Sequence, residues 1–116
     1  MVYDVATYHA AQTVLELAYG RCILAVPTAP LAERLIVEIL DGLEERSIET
    51  KVDKRNRRIE TPEFTLMVLT DRQEQAGRGQ AVDCLFLHHD ISEKTRTSLL
   101  PCAYLPYADG ARLDYA

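Results

Sequence analysis

The chain has 116 residues, enough for a single domain with one core, and its 47% apolar and 27% charged content is ordinary for a globular protein. A formal net charge of -5 argues against bulk electrostatic binding to nucleic acid, leaving room only for a local basic patch, and no apolar run is long enough to span a membrane. No basic-plus-apolar signal segment opens the chain, and Cys22, Cys84 and Cys102 are odd in number and far apart with no Cys-x-x-Cys pair, so neither a disulfide framework nor a zinc knuckle is expected and the compartment reads as reducing and cytoplasmic.

Taken in order, residues 4–19 predict a helix. Tyr8, Ala11, Leu15 and Ala18 repeat at helical spacing, with Asp4 as cap and Gly20 as stop. His9 lies one position off that stripe and reads as a boundary histidine. Cys22-Ile23-Leu24-Ala25-Val26 is a buried strand candidate, broken by Pro27-Thr28-Ala29-Pro30. Thr28 can cap the next helix, and Pro30 fits its first turn, where no amide donor is needed. That helix should run from about Ala29 to Arg46. Leu31, Leu35, Ile39 and Leu43 form its stripe, widened by Ala32, Ile36 and Leu40, and Arg34 can pair with Glu38 on the wet face. So wide an apolar face suits a helix lying flat on a sheet, with some of Ile36, Val37, Leu40 and Leu43 left to reach the surface.

Residues 48–53 alternate apolar and polar, as a half-exposed strand does. A compact basic run follows, Lys54-Arg55-Asn56-Arg57-Arg58. Ile59-Glu60 and Phe64 to Leu69 read as two strands of a hairpin around Thr61-Pro62-Glu63. Residues 71–80 are polar and glycine-punctuated, hence loop or one helical turn. Val82 to Leu87 is a second buried strand, entered through Gly77-Arg78-Gly79 and ending in His88-His89-Asp90. Ser92 can cap a short helix through Leu99 or Leu100, which Pro101 should stop. Cys102 to Leu105 would be a last strand, and Pro106 to Ala116 a loop or an arm packing through Tyr107 and Tyr115. The alternation of β and α elements predicts one three-layer α/β domain, with a mostly parallel sheet, a minor antiparallel portion and helices on its faces.

The chemistry-bearing clusters are few. Functional groups in parallel sheets gather where strands end at their carboxyl edge, and here that edge carries His88, His89 and Asp90. Two histidines and a carboxylate are the right ligands for a transition metal, but neighbours at a strand end are expected to point apart. The basic residues Lys51, Lys54, Arg55, Arg57 and Arg58, with Arg78, are candidates for phosphate or partner contact. The plainer reading is a solvated turn between strands, since no aromatic residues interleave with the charges. No Gly-Lys pair occurs anywhere, so the phosphate loop Gly-x-x-x-x-Gly-Lys-Ser/Thr is absent; no Gly-x-Ser-x-Gly elbow is present either. Neither a cofactor nor a metal is expected.

Two segments resemble parts of the P-loop ATPase domains of helicases and phage large terminases. Ile23-Leu24-Ala25-Val26-Pro27-Thr28-Ala29-Pro30-Leu31-Ala32-Glu33 is similar to the strand, Pro-Thr turn and helix of those families. Arg78-Gly79-Gln80-Ala81-Val82-Asp83-Cys84-Leu85-Phe86-Leu87 is similar to their Arg-Gly turn and the strand that bears the catalytic acids. The resemblance covers roughly residues 20–105 and implies a RecA-like fold. His88 and His89 stand where the family has its acid pair, which with the absent phosphate loop implies a degenerate, truncated, non-hydrolysing relative. The leading expectation is therefore a non-enzymatic interaction module of phage type, whose partner is a protein or a second copy of the chain. Its rivals are a nucleic-acid-binding accessory protein using the basic run, and a small metal-dependent enzyme using His88, His89 and Asp90.

Overall fold

A computed structural model describes residues 1–73 and 80–104. Among them the elements run β1 (Val2–Val5), α1 (Ala10–Leu17), β2 (Gly20–Val26), α2 (Ala29–Glu45), β3 (Lys51–Asp53), β4 (Arg58–Glu60), β5 (Phe64–Thr70), β6 (Cys84–His88) and α3 (Glu93–Tyr104). The six strands form one sheet in the order β1-β6-β2-β5-β4-β3. The first four are mutually parallel, while β5–β4 and β4–β3 are antiparallel. The expected α/β fold with a minor antiparallel portion is therefore observed.

The sheet is built around β2 and β6. Cys22, Leu24 and Val26 face α1 and α2, together with Cys84 and Phe86. Ile23 and Ala25 face the other way with Leu85 and Leu87, under Leu99 and Cys102 of α3. A strand covered on both faces has no wet side, which is why these two segments read as continuous apolar runs rather than as alternating ones. Ile23 and Leu85 are direct register partners on neighbouring strands.

The long helix matches its expected outline. Thr28 takes an extended conformation, and its Oγ1 accepts from the Leu31 amide at 3.3 Å. Arg34 and Glu38 pair at 3.0 Å on the exposed face. Of the four apolar residues expected to compete for cover, Leu43 and Ile36 are buried and Leu40 is half-buried, whereas Val37 is 56% exposed. The hairpin around Thr61-Pro62-Glu63 is present, and Ser92 caps α3 by accepting from the Thr95 amide.

Four expectations are corrected. The amino-terminal segment is not one helix. Val2 to Val5 add β1 to the sheet edge, Tyr3 stacks on Phe86 with centroids 5.1 Å apart, and α1 begins only at Ala10. Asp4 caps nothing; it accepts from Arg96 of α3 at 2.9 Å. Gly20 opens β2 instead of stopping a helix. Its φ of +66° and the Asp83 carboxylate occupying the space of a would-be Cβ both demand glycine there. Third, Cys102 to Tyr104 are helical and Pro101 lies inside α3. Proline costs a helix about 3 kcal/mol; here Leu99 and Cys102, three apart and both buried against β2 and β6, hold the helix together past it. Fourth, β3 is shorter than residues 48–53, because Ile48 closes the end of α2 by donating its amide to Leu43 O at 3.0 Å. The glycine-flanked turn with Arg78, and the tail with Tyr107 and Tyr115, lie outside the described residues.

Leu85→Ala removes a side chain with no exposed surface from the middle of β6. It should cost about 2–5 kcal/mol in urea unfolding at unchanged m-value. A variant with the wild-type midpoint would contradict this core.

Candidate functional site

The four parallel strands end together at Val5, Val26, Thr70 and His88, and the loops beyond them bring Thr7, Asp71, His88, His89, Asp90 and Ser92 to one edge. His88 is nearly fully buried. Its Nε2 lies 2.7 Å from Thr7 Oγ1, and its Nδ1 accepts the Asp90 amide at 3.0 Å. An Nδ1 that accepts leaves the proton on Nε2, so the neutral ring donates to Thr7. Burial first, and the neighbouring His89 second, hold the His88 pKa below the ordinary 6.5, with Asp90 opposing.

The two rings were expected to point apart. They stack instead, centroids 4.7 Å apart and 19° from coplanar, because the chain turns as soon as β6 ends. His89 is exposed and reaches Asp90 Oδ1 at 3.4 Å. Among the described residues no three His, Cys, Asp or Glu side chains converge on a point where an ion would sit. Both nitrogens of His88 are spent on structure, so the cluster offers one accessible imidazole beside one carboxylate.

Thr7 had no signal in the sequence, because its segment reads as helix. Asp71, in a stretch read as loop or one helical turn, had no signal either; its carboxylate accepts from the Ser92 amide at 3.2 Å and from Ser92 Oγ at 3.3 Å, tying the end of β5 to the start of α3. The β1–α1 junction is a strand, a turn and a helix, the arrangement in which a phosphate loop is built. Its residues are Ala6-Thr7-Tyr8-His9, without glycine or lysine. His9 turns its Nε2 back to accept the Ala6 amide at 3.4 Å.

The basic run divides into separate roles. Lys51 lies in β3, Lys54 and Arg55 project from the turn, and Arg58 opens β4. Asp53 organises the turn. It accepts the Asn56 amide at 3.2 Å and Asn56 Nδ2 at 2.8 Å, and these bonds hold its carboxyl below the usual value. Arg57, at φ +51°, donates to Glu33 Oε2 at 2.7 Å and to Gln73 Oε1 at 3.2 Å. It is a half-buried clamp joining the turn to α2 and to the end of β5, not part of a free cationic patch. The solvated turn expected here holds for Arg55 and Arg58, which are exposed, but not for Arg57.

Beside this turn, α2 and the β3–β4 hairpin enclose a groove of about 230 Å3. Its apolar lining includes Ile36, Val37, Leu40, Val52 and Ile59, and Glu33, Asp53, Lys54, Arg57 and Arg58 rim it. Val52 is 40% exposed.

This geometry has counterparts among solved structures. The chain is similar to the large terminase ATPase domain of a Thermus phage, with a TM-score of 0.64 over 87% of this chain and 53% of that one, at 11% identity. An arginine-to-alanine variant of the same domain superposes equally well, at 10% identity over 87% and 54% of the two chains. The chain thus spans about half the length of the domains it matches. At such identity the likeness shows a terminase-like fold and nothing more. No protein-family model and no curated protein sequence matches the chain. No helix among the described residues is long and apolar enough to cross a membrane.

The depressed His88 pKa carries a sign. Above pH 6.5 the ring is neutral in both folded and unfolded chains, and its bonds to Thr7 and Asp90 are intact. As pH falls from 6.5 toward the lower folded value, the unfolded chain takes up the proton first and stability is lost. Urea midpoints between about pH 7.5 and about pH 5 should therefore fall more steeply for the wild type than for His88→Gln. Parallel profiles would show that His88 is not the titrating group.

Proposed function

We propose that the chain is a non-hydrolysing protein-interaction module carried on a terminase-like fold, of the kind found in phage DNA-packaging motors, and that it docks a second copy of itself through the edge strand β3. Against hydrolysis stand the missing Gly-Lys-Ser/Thr loop, the glycine-free β1–α1 turn, and a β6 end occupied by a histidine whose two nitrogens are already bonded.

One observation carries the docking. Among the described residues β3 pairs with β4 on one side only, and Lys51, Val52 and Asp53 are all exposed. Antiparallel pairing of two such edges about a two-fold axis at Val52 sets Lys51 of each copy opposite Asp53 of the other. Opposite charges directly across a strand pair stabilise it, and a self-complementary edge is what a closed homodimer needs. Val52 would meet its own copy, and the groove with Val37 and Leu40 would be covered at the same time.

Sedimentation at micromolar concentration should show a dimer. Lys51→Asp sets like charges opposite each other and should dissociate it; so should Asp53→Lys. An equal mixture of the two variants restores both opposite-charge pairs and should re-form the dimer. A strict monomer, or a dimer indifferent to both changes, would refute the edge pairing. If Lys54 and Arg55 instead serve nucleic acid, the wild type should bind DNA with steep salt dependence, lost on their joint replacement by alanine.

Nucleotide gives a separate check on the non-hydrolysing reading. Millimolar ATP with magnesium should leave the melting temperature unchanged, because a ligand that does not bind cannot stabilise the native state. An upward shift, or phosphate release above a buffer blank, would overturn it.

A further inference from the structure

The chain has three histidines, and the fold brings all of them to the junction of β1 with α1. Residues 6–9 cross this junction with little backbone support. The bond within them is the turn from the His9 amide to Ala6 O at 3.2 Å. α1 starts without a capping side chain and without an acid in its first turn. Imidazoles do the fastening instead. His9 Nε2 accepts the Ala6 amide at 3.4 Å, and His88 Nε2 lies 2.7 Å from Thr7 Oγ1. The His89 ring stacks on His88 from outside.

Both fastening rings are used in a way that only the neutral form allows. His9 gives its Nε2 lone pair to the Ala6 amide, so its proton sits on Nδ1, 3.2 Å from Thr13 Oγ1, which itself donates to His9 O at 2.9 Å. His88 gives its Nδ1 lone pair to the Asp90 amide and donates from Nε2 to Thr7. A second proton makes the accepting nitrogen a donor and sets it against a backbone N–H. Turning the ring over gives no relief, because both nitrogens of an imidazolium donate. Burial, then His89, opposes the charge on His88, and Asp90 favours it. His88 shares its sheet face with Val5 of β1 and Val26 of β2, which are apolar, while Asp4 and Arg96 pair on the face of α3. His9 meets the Tyr8 ring edge-on at 4.7 Å, and α2 presents Glu38 and Asp41 to the groove that Tyr8 borders.

We propose that residues 6–9 form a proton-operated latch: two neutral imidazoles hold the loop against the sheet, and protonation of His88 and His9 frees it while the sheet stays folded. The sheet survives because β1 keeps its own ladder to β6, continued by the His89 amide donating to Val5 O at 3.0 Å. The paired core residues of β2 and β6 do not pass through the loop. What moves is Tyr8, 86% exposed, which with Ala11 and Leu15 lines a groove of about 290 Å3 between α1 and α2. Release of the loop therefore reshapes one wall of that groove. β1 and β3 are opposite edges of the sheet, so the latch and the self-pairing at β3 are tested independently.

The test is a magnetic-resonance titration of the full chain from about pH 7.5 to about pH 4.5, following the imidazole C–H signals and the backbone amides. The Asp90 amide should change with the same midpoint as the His88 ring, and the Ala6 amide with that of the His9 ring. Across these transitions the exchange protection of both amides should fall roughly tenfold or more, while the amides of β2 and β6 keep theirs. Glutamine keeps an uncharged acceptor, so His88→Gln should preserve the protection of Asp90 through the same range, and His9→Gln that of Ala6. His89→Gln removes a charge that opposes His88 and should move the His88 midpoint to higher pH without abolishing the release. Should a glutamine variant fail to fold, the coincidence of ring and amide midpoints in the wild type decides alone. Amide shifts that change at constant protection, protection lost only together with that of β2 and β6, or ring and amide midpoints that differ, would each overturn the latch.

Discussion

The double-sided burial of β2 and β6 is the constraint on which the rest of the molecule depends. Ile23 and Leu85, and Leu24 and Phe86, are register partners with no exposed surface. Each such side chain contributes about 1.5–3 kcal/mol on leaving water, but only if both faces of the sheet are covered. α1 and α2 must therefore lie on one face and α3 on the other. α3 persists through Pro101 because Leu99 and Cys102 are needed as cover. Cys22 and Cys84, also register partners, bring both thiols to the Tyr19 carbonyl, at 3.3 and 3.6 Å. Burial pushes the Cys22 thiol pKa upward, so it acts as a small apolar group rather than a nucleophile, and Cys84 is buried beside it.

Much of the polar chemistry that stands out in the sequence is spent on holding this frame. His88 bridges the β1–α1 loop and the turn after β6. Arg57 bridges a hairpin turn, α2 and the end of β5. Asp71 bridges β5 and α3. All three sit where parallel strands end or where the sheet changes direction, and there backbone groups leave the ladder and need partners. Among the described residues such duties leave the β3 edge and its groove unconsumed, because β4 and β3 extend the sheet antiparallel beyond β5.

The elements read correctly from sequence are those whose signal is local. β2, α2 and β6 carry long unbroken patterns, and Thr28, Pro30 and Ser92 act within their own turns. β1 was illegible because Val2 to Val5 is a strand only by pairing with β6, and the helical spacing of Tyr8, Ala11, Leu15 and Ala18 extends past the helix that forms. At the candidate sites the residue types were legible and their partners were not. His88 and the basic run stood out, but Thr7 lies 81 positions from His88 and Glu33 lies 24 from Arg57.

By itself the sequence determined the fold class, the two central strands, the long helix with its cap, the hairpin and the lack of a phosphate loop. These are matters of composition, periodicity and turn chemistry, settled among residues near one another in the chain. Only the tertiary structure decided the strand order, the role of each charged residue and the location of the open surfaces. The physical reason is that a charged side chain's state depends on which groups surround it, and on a sheet those groups arrive from strands distant in sequence. Arg57 and Arg58 are neighbours in the chain; one is a half-buried clamp because Glu33 and Gln73 reach it from α2 and the end of β5, and the other is exposed at the start of β4 opposite Asp53.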